Sequence, residues 1–411
     1  MALTELTQTL LSLKLGATTP QNAPLEVAQA LRNVEVVMGS RCPSGFRLTF
    51  QADRYPAVPG TPTDYSLLDG GLLDPFVRVQ VLVQAGDDPV TVLIDGFITR
   101  QELSVDESEN SLITVIGEDV SVKMDLFEVS AEFPTLTDSA IVSQILGNYS
   151  SLGITAQVVA PTGEAAPQNW VPQQNSTDRY FLQMLAARHG FLFYIQPGSS
   201  AGQNTAYWGP PVTTGTPQPA LTTNMWKANN LKSLSLSYDA LAPTLTYGQA
   251  LDLSQAPAVA TQIAISSPSQ SQGFSTIAAI DSQFSSLAQA PSTFTSQLAK
   301  LSVRGTLLTH QGLTPTDAQS LGQGKTDRSV QEVLVAEGEI DTAEYGSILT
   351  APGIVDLRGV GKRFDGRYYV KQVNHNLSLD QGEWRYLQKF VLTRAGAGST
   401  ITQVASVSGT D

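Results

Sequence analysis

The chain has 411 residues, a net charge of −13, 41% hydrophobic and 15% charged residues, and one cysteine. That length supports two or three domains with cores of their own, and an acidic balance without any local Lys/Arg cluster argues against binding nucleic acid through its backbone. The single thiol, Cys42, excludes an intramolecular disulfide and a thiolate metal site and is expected to be a small buried apolar side chain, and no apolar run approaches the ~20 residues of a membrane span.

Residues 1–30 read as an arm. Leu3, Leu6, Leu10 and Leu13 recur at helical spacing, Glu5 stands where a secretory leader would be basic, and residues 24–31 have helical character. Strand patterning follows at residues 34–38 and, with cleaner alternation, 46–50. Past a Pro/Gly-rich loop (54–73) come strands at 76–83, 90–95, 97–105 and 112–116, with turns at 86–89, at Asp95-Gly96 and at 106–110. Strands at such spacing suit a small barrel, which removes exposed edges. From Phe133 the period changes. Thr137-Asp138 caps a helix carrying Ile141, Ile145 and Leu146 that stops at Gly147, and a second helix opens at Ser176-Thr177-Asp178 and ends at His189-Gly190. Residues 191–195 follow as a buried strand. Strands restart at 231–238 and 244–247, a Ser/Gln/Ala-rich insertion with weak helical runs at 274–287 and 294–301 intervenes, and further strands run from Ser329 to Arg394 before a polar tail.

The candidate chemistry dissolves on inspection. Gly198-Ser199-Ser200-Ala201-Gly202 fits a nucleophile-elbow pattern, but the segment after it, through Tyr207-Trp208-Gly209-Pro210-Pro211, is not the helix that motif requires. Gly322-Gln323-Gly324-Lys325-Thr326 resembles the end of a phosphate-binding loop, but its first glycine would fall at Gln319 and no apolar strand precedes it. His189, His310 and His375 have no partner at ligand spacing, which favours structural roles. Glu337, Glu339, Asp341 and Glu344 cluster, and a solvated acidic face on a surface connection is the expectation; a glycosidase would need two of them across a cleft. No catalytic residue, cofactor or metal ligand is therefore expected.

Two segments echo one another. Each starts with Asp-Gly (Asp95-Gly96 and Asp365-Gly366), runs to Ser-apolar-Asp (Ser104-Val105-Asp106 and Ser378-Leu379-Asp380), and returns through a polar turn as an apolar strand. Two related β modules in one chain point to a ring-forming part more than to an enzyme built around one pocket.

Two longer runs then resemble a known family. DRYFLQMLAARHGFLFYI (178–195) is similar to the "FL-x-x-LA" signature of the late control protein D family, whose relatives include VgrG spikes and the T-even phage hub. The run GEIDTAEYGSILTAPGIVDLRGVGKRFDGRYYVKQVNHNLS resembles that family's second barrel. The resemblance covers most of residues 31–395. It implies a mainly β fold with an α+β domain: two related small β-barrels flanking an α/β module, assembling as a trimeric pseudo-sixfold ring. The expected divisions are an arm at 1–30, a first barrel at 31–130, the α/β domain at 131–221, a second barrel at 222–250 and 326–395, the insertion at 251–325 and a flexible tail at 396–411. The implied role is the non-enzymatic baseplate hub of a contractile tail or injection particle, assembled in the bacterial host cytoplasm. Its implied partners are two further copies of itself, a hexameric tail tube protein and a separate trimeric spike, with tape-measure and wedge proteins as further candidates; neither sequence-specific nucleic-acid binding nor a membrane span is expected. The matched turns Asp106, Glu107, Ser108, Glu109 and Asn110, and Asp380, Gln381, Gly382 and Glu383, are the candidate interface residues. The alternatives are a tail-associated peptidoglycan hydrolase using Glu337 or Glu339, and a carbohydrate-binding receptor protein.

Overall fold

A computed structural model describes residues 9–17, 19–52, 65–105, 111–164, 166–167, 171–198, 202–225, 228–252, 259–263, 304–311 and 315–396. The first strand is β1 (Thr9–Gly16), where the leucine spacing predicts a helix. Its buried positions, Leu13 and Leu15, lie two apart, so pairing in a sheet wins over the helical stripe. It is followed by β2 (Gln21–Asn22), helix α1 (Leu25–Ala30), β3 (Leu31–Gly39), β4 (Gly45–Ala52), β5 (Arg78–Ala85), β6 (Thr91–Val105) and β7 (Ser111–Asp119). Burial alternates strictly along β7, as expected of a strand with one face on a core. Cys42 is exposed in the connection between β3 and β4, not buried as the sequence suggests.

A central module comes next: β8 (Glu128–Glu132), α2 (Asp138–Gly147), β9 (Ile154–Val158), β10 (Gln173–Thr177), α3 (Asp178–Arg188), β11 (Leu192–Pro197) and β12 (Asn204–Gly209). The hydroxyls of Thr137 and Thr177 cap the two helices by accepting from the amides of Ala140 and Tyr180, each at 3.3 Å. The helices cover the sheet β11–β12–β9 around a core of Ile141, Leu182, Leu185 and Trp208, whose indole donates to the Leu182 carbonyl at 3.2 Å.

The rest comprises β13 (Gln218–Thr222), β14 (Ser233–Tyr238), β15 (Thr244–Asp252), β16 (Val259–Ile263), β17 (Arg304–Gln311), α4 (Pro315–Val330), β18 (Leu334–Asp341), α5 (Thr342–Tyr345), β19 (Gly353–Arg358), β20 (Gly366–Asp380) and β21 (Glu383–Arg394). Strands β15, β16 and β17 leave the main sheet and pair with one another. The helical runs expected at 274–287 and 294–301 lie outside the described residues.

Thirteen strands form one sheet in the order β14-β18-β21-β20-β3-β4-β7-β6-β5-β1-β2, with β19 on the first part of β20 and β13 on β19. The order contains a repeat. In the first half β3, β4, β7, β6 and β5 are successive neighbours; in the second, β14, β18, β21, β20 and β19 are, and each set occurs in the same chain order. Both long strands, β6 and β20, have 15 residues and carry one extra residue against their hairpin partner, Thr99 in one and Lys371 in the other. Superposing these bulges sets Gly96 opposite Tyr368, so the two Asp-Gly pairs are not equivalent. Asp95-Gly96 is no turn either: β6 runs straight through it, and a Cβ on Gly96 would stand 2.0 Å from the Glu118 carbonyl oxygen, so glycine serves the close approach of β7.

The halves are not two closed barrels. β3 pairs with β4 on one edge and with residues 372–378 of β20 on the other, so it is unavailable to close its own half, and a single core runs through both. The fold is mainly β, built on a large antiparallel sheet.

A buried ion pair fastens the first half to the central module. Arg78 on β5 donates to both carboxylate oxygens of Asp95 on β6, at 2.7 and 2.8 Å, and to the Leu152 carbonyl at 2.8 Å, while the Asn204 amide donates to Asp95 at 2.9 Å. Asp95→Ala would strand the guanidinium without its counter-charge and is expected to cost about 3–5 kcal/mol of stability by denaturant unfolding.

His375, at the centre of the β20–β3 pairing, is completely buried, and its Nδ1 shares a hydrogen bond of 2.7 Å with the Tyr386 hydroxyl. Burial lowers its pKa from 6.5 to about 3. Between those values the unfolded chain holds a proton that the folded chain refuses, so stability is fully present above 6.5 and falls on acidification, by up to about 1.4 kcal/mol per pH unit. Replacing the pair with His375→Leu and Tyr386→Phe is expected to flatten the acid limb of a plot of unfolding free energy against pH.

Candidate functional site

The β20–β21 hairpin closes through Gln381 and Gly382, with φ of 51° and 89°. Two central residues at positive φ make the tight turn whose twist suits a two-residue hairpin, and they leave Asp380 and Glu383 exposed and directly opposed at the tip. Like charges facing one another are unfavourable, so the tip is a concentrated acidic point. The other candidate turn, Asp106, Glu107, Ser108, Glu109 and Asn110, lies outside the described residues, but its flanks Val105 and Ser111 are paired across β6 and β7.

The sheet brings the described ends of the two hairpins to one rim. Ser378 pairs with Asn33, Asn33 with Thr49, Thr49 with Thr114 and Thr114 with Glu102. Glu102 and Ser378 thus share a cross-strand row, four strand spacings or roughly 19 Å apart. The last described pairs of the two hairpins, Val105 with Ser111 and Asp380 with Glu383, lie just beyond this row on the same side.

The catalytic candidates fall elsewhere. Glu337 and Glu339 point to the same face of one strand, β18, two residues apart, and Glu339 sits 3.9 Å from Lys389 on the neighbouring strand. They do not oppose each other across a cleft, as a glycosidase pair must. With Asp341 they lie on β18 itself, and only Glu344, in α5, belongs to a connection. The loop following β11 leads into the strand β12, without the helix a nucleophile elbow needs. The segment Gly322-Gln323-Gly324-Lys325-Thr326 lies inside α4, and a Cβ on Gly324 would meet the His189 backbone at 2.6 Å, so that glycine is a helix-packing contact. Among the described residues no group of three or more His, Cys, Asp or Glu could hold a metal ion.

One constellation escapes the sequence. His189 Nε2 lies 2.8 Å from the Asp138 carboxylate and its Nδ1 3.0 Å from the Ser320 hydroxyl. Burial pushes the Asp138 carboxyl up, but the hydrogen bond with His189 and the charge of Arg188 outweigh it and hold the group below its ordinary value. An ionised carboxylate only accepts, so Nε2–H donates to Asp138, and Nδ1 shares its hydrogen bond with the Ser320 hydroxyl. The ring is the reverse of a serine hydrolase's, where Nδ1 faces the acid. Ser320 is also the sixth residue of α4, beyond the first turn with its free amides, so it lacks a backbone oxyanion site. The trio pins α4 to the ends of α2 and α3. The serine and the histidine lie 131 residues apart in the chain, and no local pattern marks them as partners.

The model of a family described as the Alg8 N-terminal domain matches residues 61–214, just over a third of the chain. No curated protein matches. Among solved structures, a tail protein from Neisseria meningitidis MC58 is similar over 94% of this chain and 96% of its own, with a TM-score of 0.58 at 10% identity. The 43 kDa tail protein of prophage MuSo2 from Shewanella oneidensis is similar over 94% and 98%, with a TM-score of 0.55 at 13% identity. The E. coli c3393 protein, a component of the type VI secretion system with structural similarity to the T4 tail proteins gp27 and gp5, is similar over 92% and 76%, with a TM-score of 0.51 at 11% identity. The chain shares the fold of these tail proteins. By its geometry the His189 trio ties α4 to α2 and α3. Ser320→Ala is expected to lose about 1 kcal/mol of stability, and mass spectrometry after treatment with a fluorophosphonate is expected to find no adduct on Ser320 in the parent chain.

Proposed function

We propose that the chain is a non-catalytic structural hub of a contractile-tail baseplate or injection particle, three copies of it joining a hexameric tail tube to a trimeric cell-puncturing spike. The observation that carries this reading is the repeated strand order, β3-β4-β7-β6-β5 against β14-β18-β21-β20-β19. A threefold ring of such chains offers six near-equivalent modules to a sixfold tube while keeping threefold symmetry for the spike, and closed point symmetry is the ordinary outcome for repeated interfaces. The fold shared with phage tail proteins and a type VI component supports it.

The two modules correspond broadly to residues 31–130 and to 222–250 with 326–395, and the domain between them to 131–221, except that β8 joins the central module, β1, β2 and β13 join the main sheet, and β15 groups with the insertion. The rim that carries the 380–383 tip and the ends of β6 and β7 at Val105 and Ser111 is the tube-facing surface, with residues 106–110 as further candidate contacts, and its acidic residues would dock on a complementary tube end. With a net charge of −13, the ring would not hold passing DNA. Assembly takes place in the bacterial host cytoplasm, and the finished location is the tail baseplate, where tape-measure and wedge proteins are further neighbours.

The test is placement and docking. Electron microscopy of particles carrying a labelled copy is expected to show the label on the tail axis between tube and spike; a peripheral sixfold position would refute the reading. Asp380→Lys with Glu383→Lys is expected to leave the circular dichroism spectrum and the mass in solution unchanged while abolishing capture of assembled tube rings.

A further inference from the structure

The repeat leaves one junction unmatched within the chain. In the second half, β20 pairs with β19 along its first part and, past the bulge at Lys371, with β3 along residues 372–378. In the first half, β6 pairs with β5 along its first part, and past the bulge at Thr99 no strand among the described residues pairs along the same edge of residues 100–105, where the Leu73 carbonyl accepts from the Gln101 side-chain amide at 3.2 Å. By the strand correspondence, the element that belongs there is the counterpart of β3, namely β14. Strand β14 is itself a terminal strand of the sheet: it pairs only with β18, and its other edge is open among the described residues. Within one chain the two open edges stand at separate places in the sheet order and do not pair with one another among the described residues.

We propose that β14 of one copy adds to residues 100–105 of β6 in the next copy, repeating between chains the β3–β20 pairing that each chain makes within itself. The register follows from the ladders already present. The bulges equate Arg100 with Gln372, and Leu103 and Val105 with His375 and Leu377. The pairings of Arg47 with Glu35 and of Glu337 with Ser235 equate β3 with β14, so that Leu236 corresponds to Val36. Since Val36 faces His375, Leu236 faces Leu103; Leu234 then faces Val105 and Ser235 faces Ser104.

Burial agrees with this register. His375 and Leu377 are fully buried beneath β3, whereas Leu103 and Val105, at the same positions in the other half, are 48% and 53% exposed. Leu234 and Leu236 are only partly buried against the main core. Antiparallel neighbours directly opposed share a face, so the addition would place two exposed aliphatic side chains against two half-covered ones. It also sets Arg100 opposite Asp239, opposite charges at the end of the ladder. An open edge carrying apolar residues is otherwise a template for indiscriminate pairing, and a partner of fixed register removes that hazard. The contact is head to tail and uses two different surfaces, so it closes a ring only if the rotation per copy permits. The number three rests on the hub reading above; the pairing does not.

The test uses engineered disulfides in a Cys42→Ser background. Directly opposed residues have Cβ atoms near enough for a disulfide, and those two positions out of register do not. The variant S104C/S235C, oxidised at high protein concentration, is expected to give covalent dimers and trimers on a non-reducing gel, while S104C/S237C gives none. Mixing chains that carry S104C alone with chains that carry S235C alone is expected to give dimers and nothing larger. Leu103→Asp with Val105→Asp, in the S104C/S235C chain, is expected to abolish the bonds while leaving the circular dichroism spectrum unchanged. A trimer by light scattering in which S104C/S235C forms no intermolecular bond would overturn the pairing and leave the hub reading intact, and equal bonding in both registers would also overturn it. Bonds in the expected register, in a protein that labelling finds off the tail axis, would uphold the pairing and remove the hub.

Discussion

The ladder between β3 and residues 372–378 of β20 is the constraint on which the remainder of the molecule depends. Seven residue pairs join a strand near the start of the chain to one near its end. Without them the protein would be two sheets, each with an edge open beside its own core. With them the sheet is continuous, and Val34, Val36, Val373 and Leu377 enter one interior with no exposed surface. His375 lies in the same row, a polar ring completely enclosed and satisfied on one nitrogen by Tyr386. A buried polar group at such a place raises the cost of misregistration, because a slip by one residue would turn it and its apolar neighbours to the opposite face.

The same ladder explains why β6 and β20 end at one rim. Antiparallel neighbours reverse direction at each step, and four steps separate β20 from β6, so both strands run the same way and finish on the same side of the sheet. Geometry of this kind needs no contact between the turns themselves. The Arg78–Asp95 pair has a complementary role. It holds the helical module against the first half at the opposite end of β6 from the rim, where Leu152 and Asn204 complete its hydrogen bonds.

Much of the local structure was legible in the sequence. Thr137 and Thr177 announce the two helices by side-chain chemistry that acts over three residues, and the alternation in β3, β4 and β7 reports a sheet with one buried face. The failures share a cause. Leu3, Leu6, Leu10 and Leu13 satisfy a helical spacing, but the ladder with β5 selects Leu13 and Leu15 instead. Asp95-Gly96 has the composition of a turn, yet its glycine answers to the Glu118 carbonyl on another strand. The Asp-Gly echo pointed to a real repeat through residues that are not equivalent, because the bulges shift the alignment. The barrels expected from each half do not close, since the edge that would close the first is spent on the second. The contact of Ser320 with His189, and the open edge beyond Thr99, depend on which strands become neighbours, and short-range patterns are silent about that.

The junction also bears on how the polypeptide matures. Val36 and His375 are opposite one another in space and 339 positions apart in the chain (375 − 36). A ribosome moving from one end to the other would have completed the first five-strand set and the helical module well before β20 exists. During that interval the far edge of β3 lacks its mate, and a second nascent copy could offer the same strand in its place. An unpaired strand edge beside apolar residues is the feature that exposes a folding chain to association, so the first half passes through its most vulnerable stage before β20 is made.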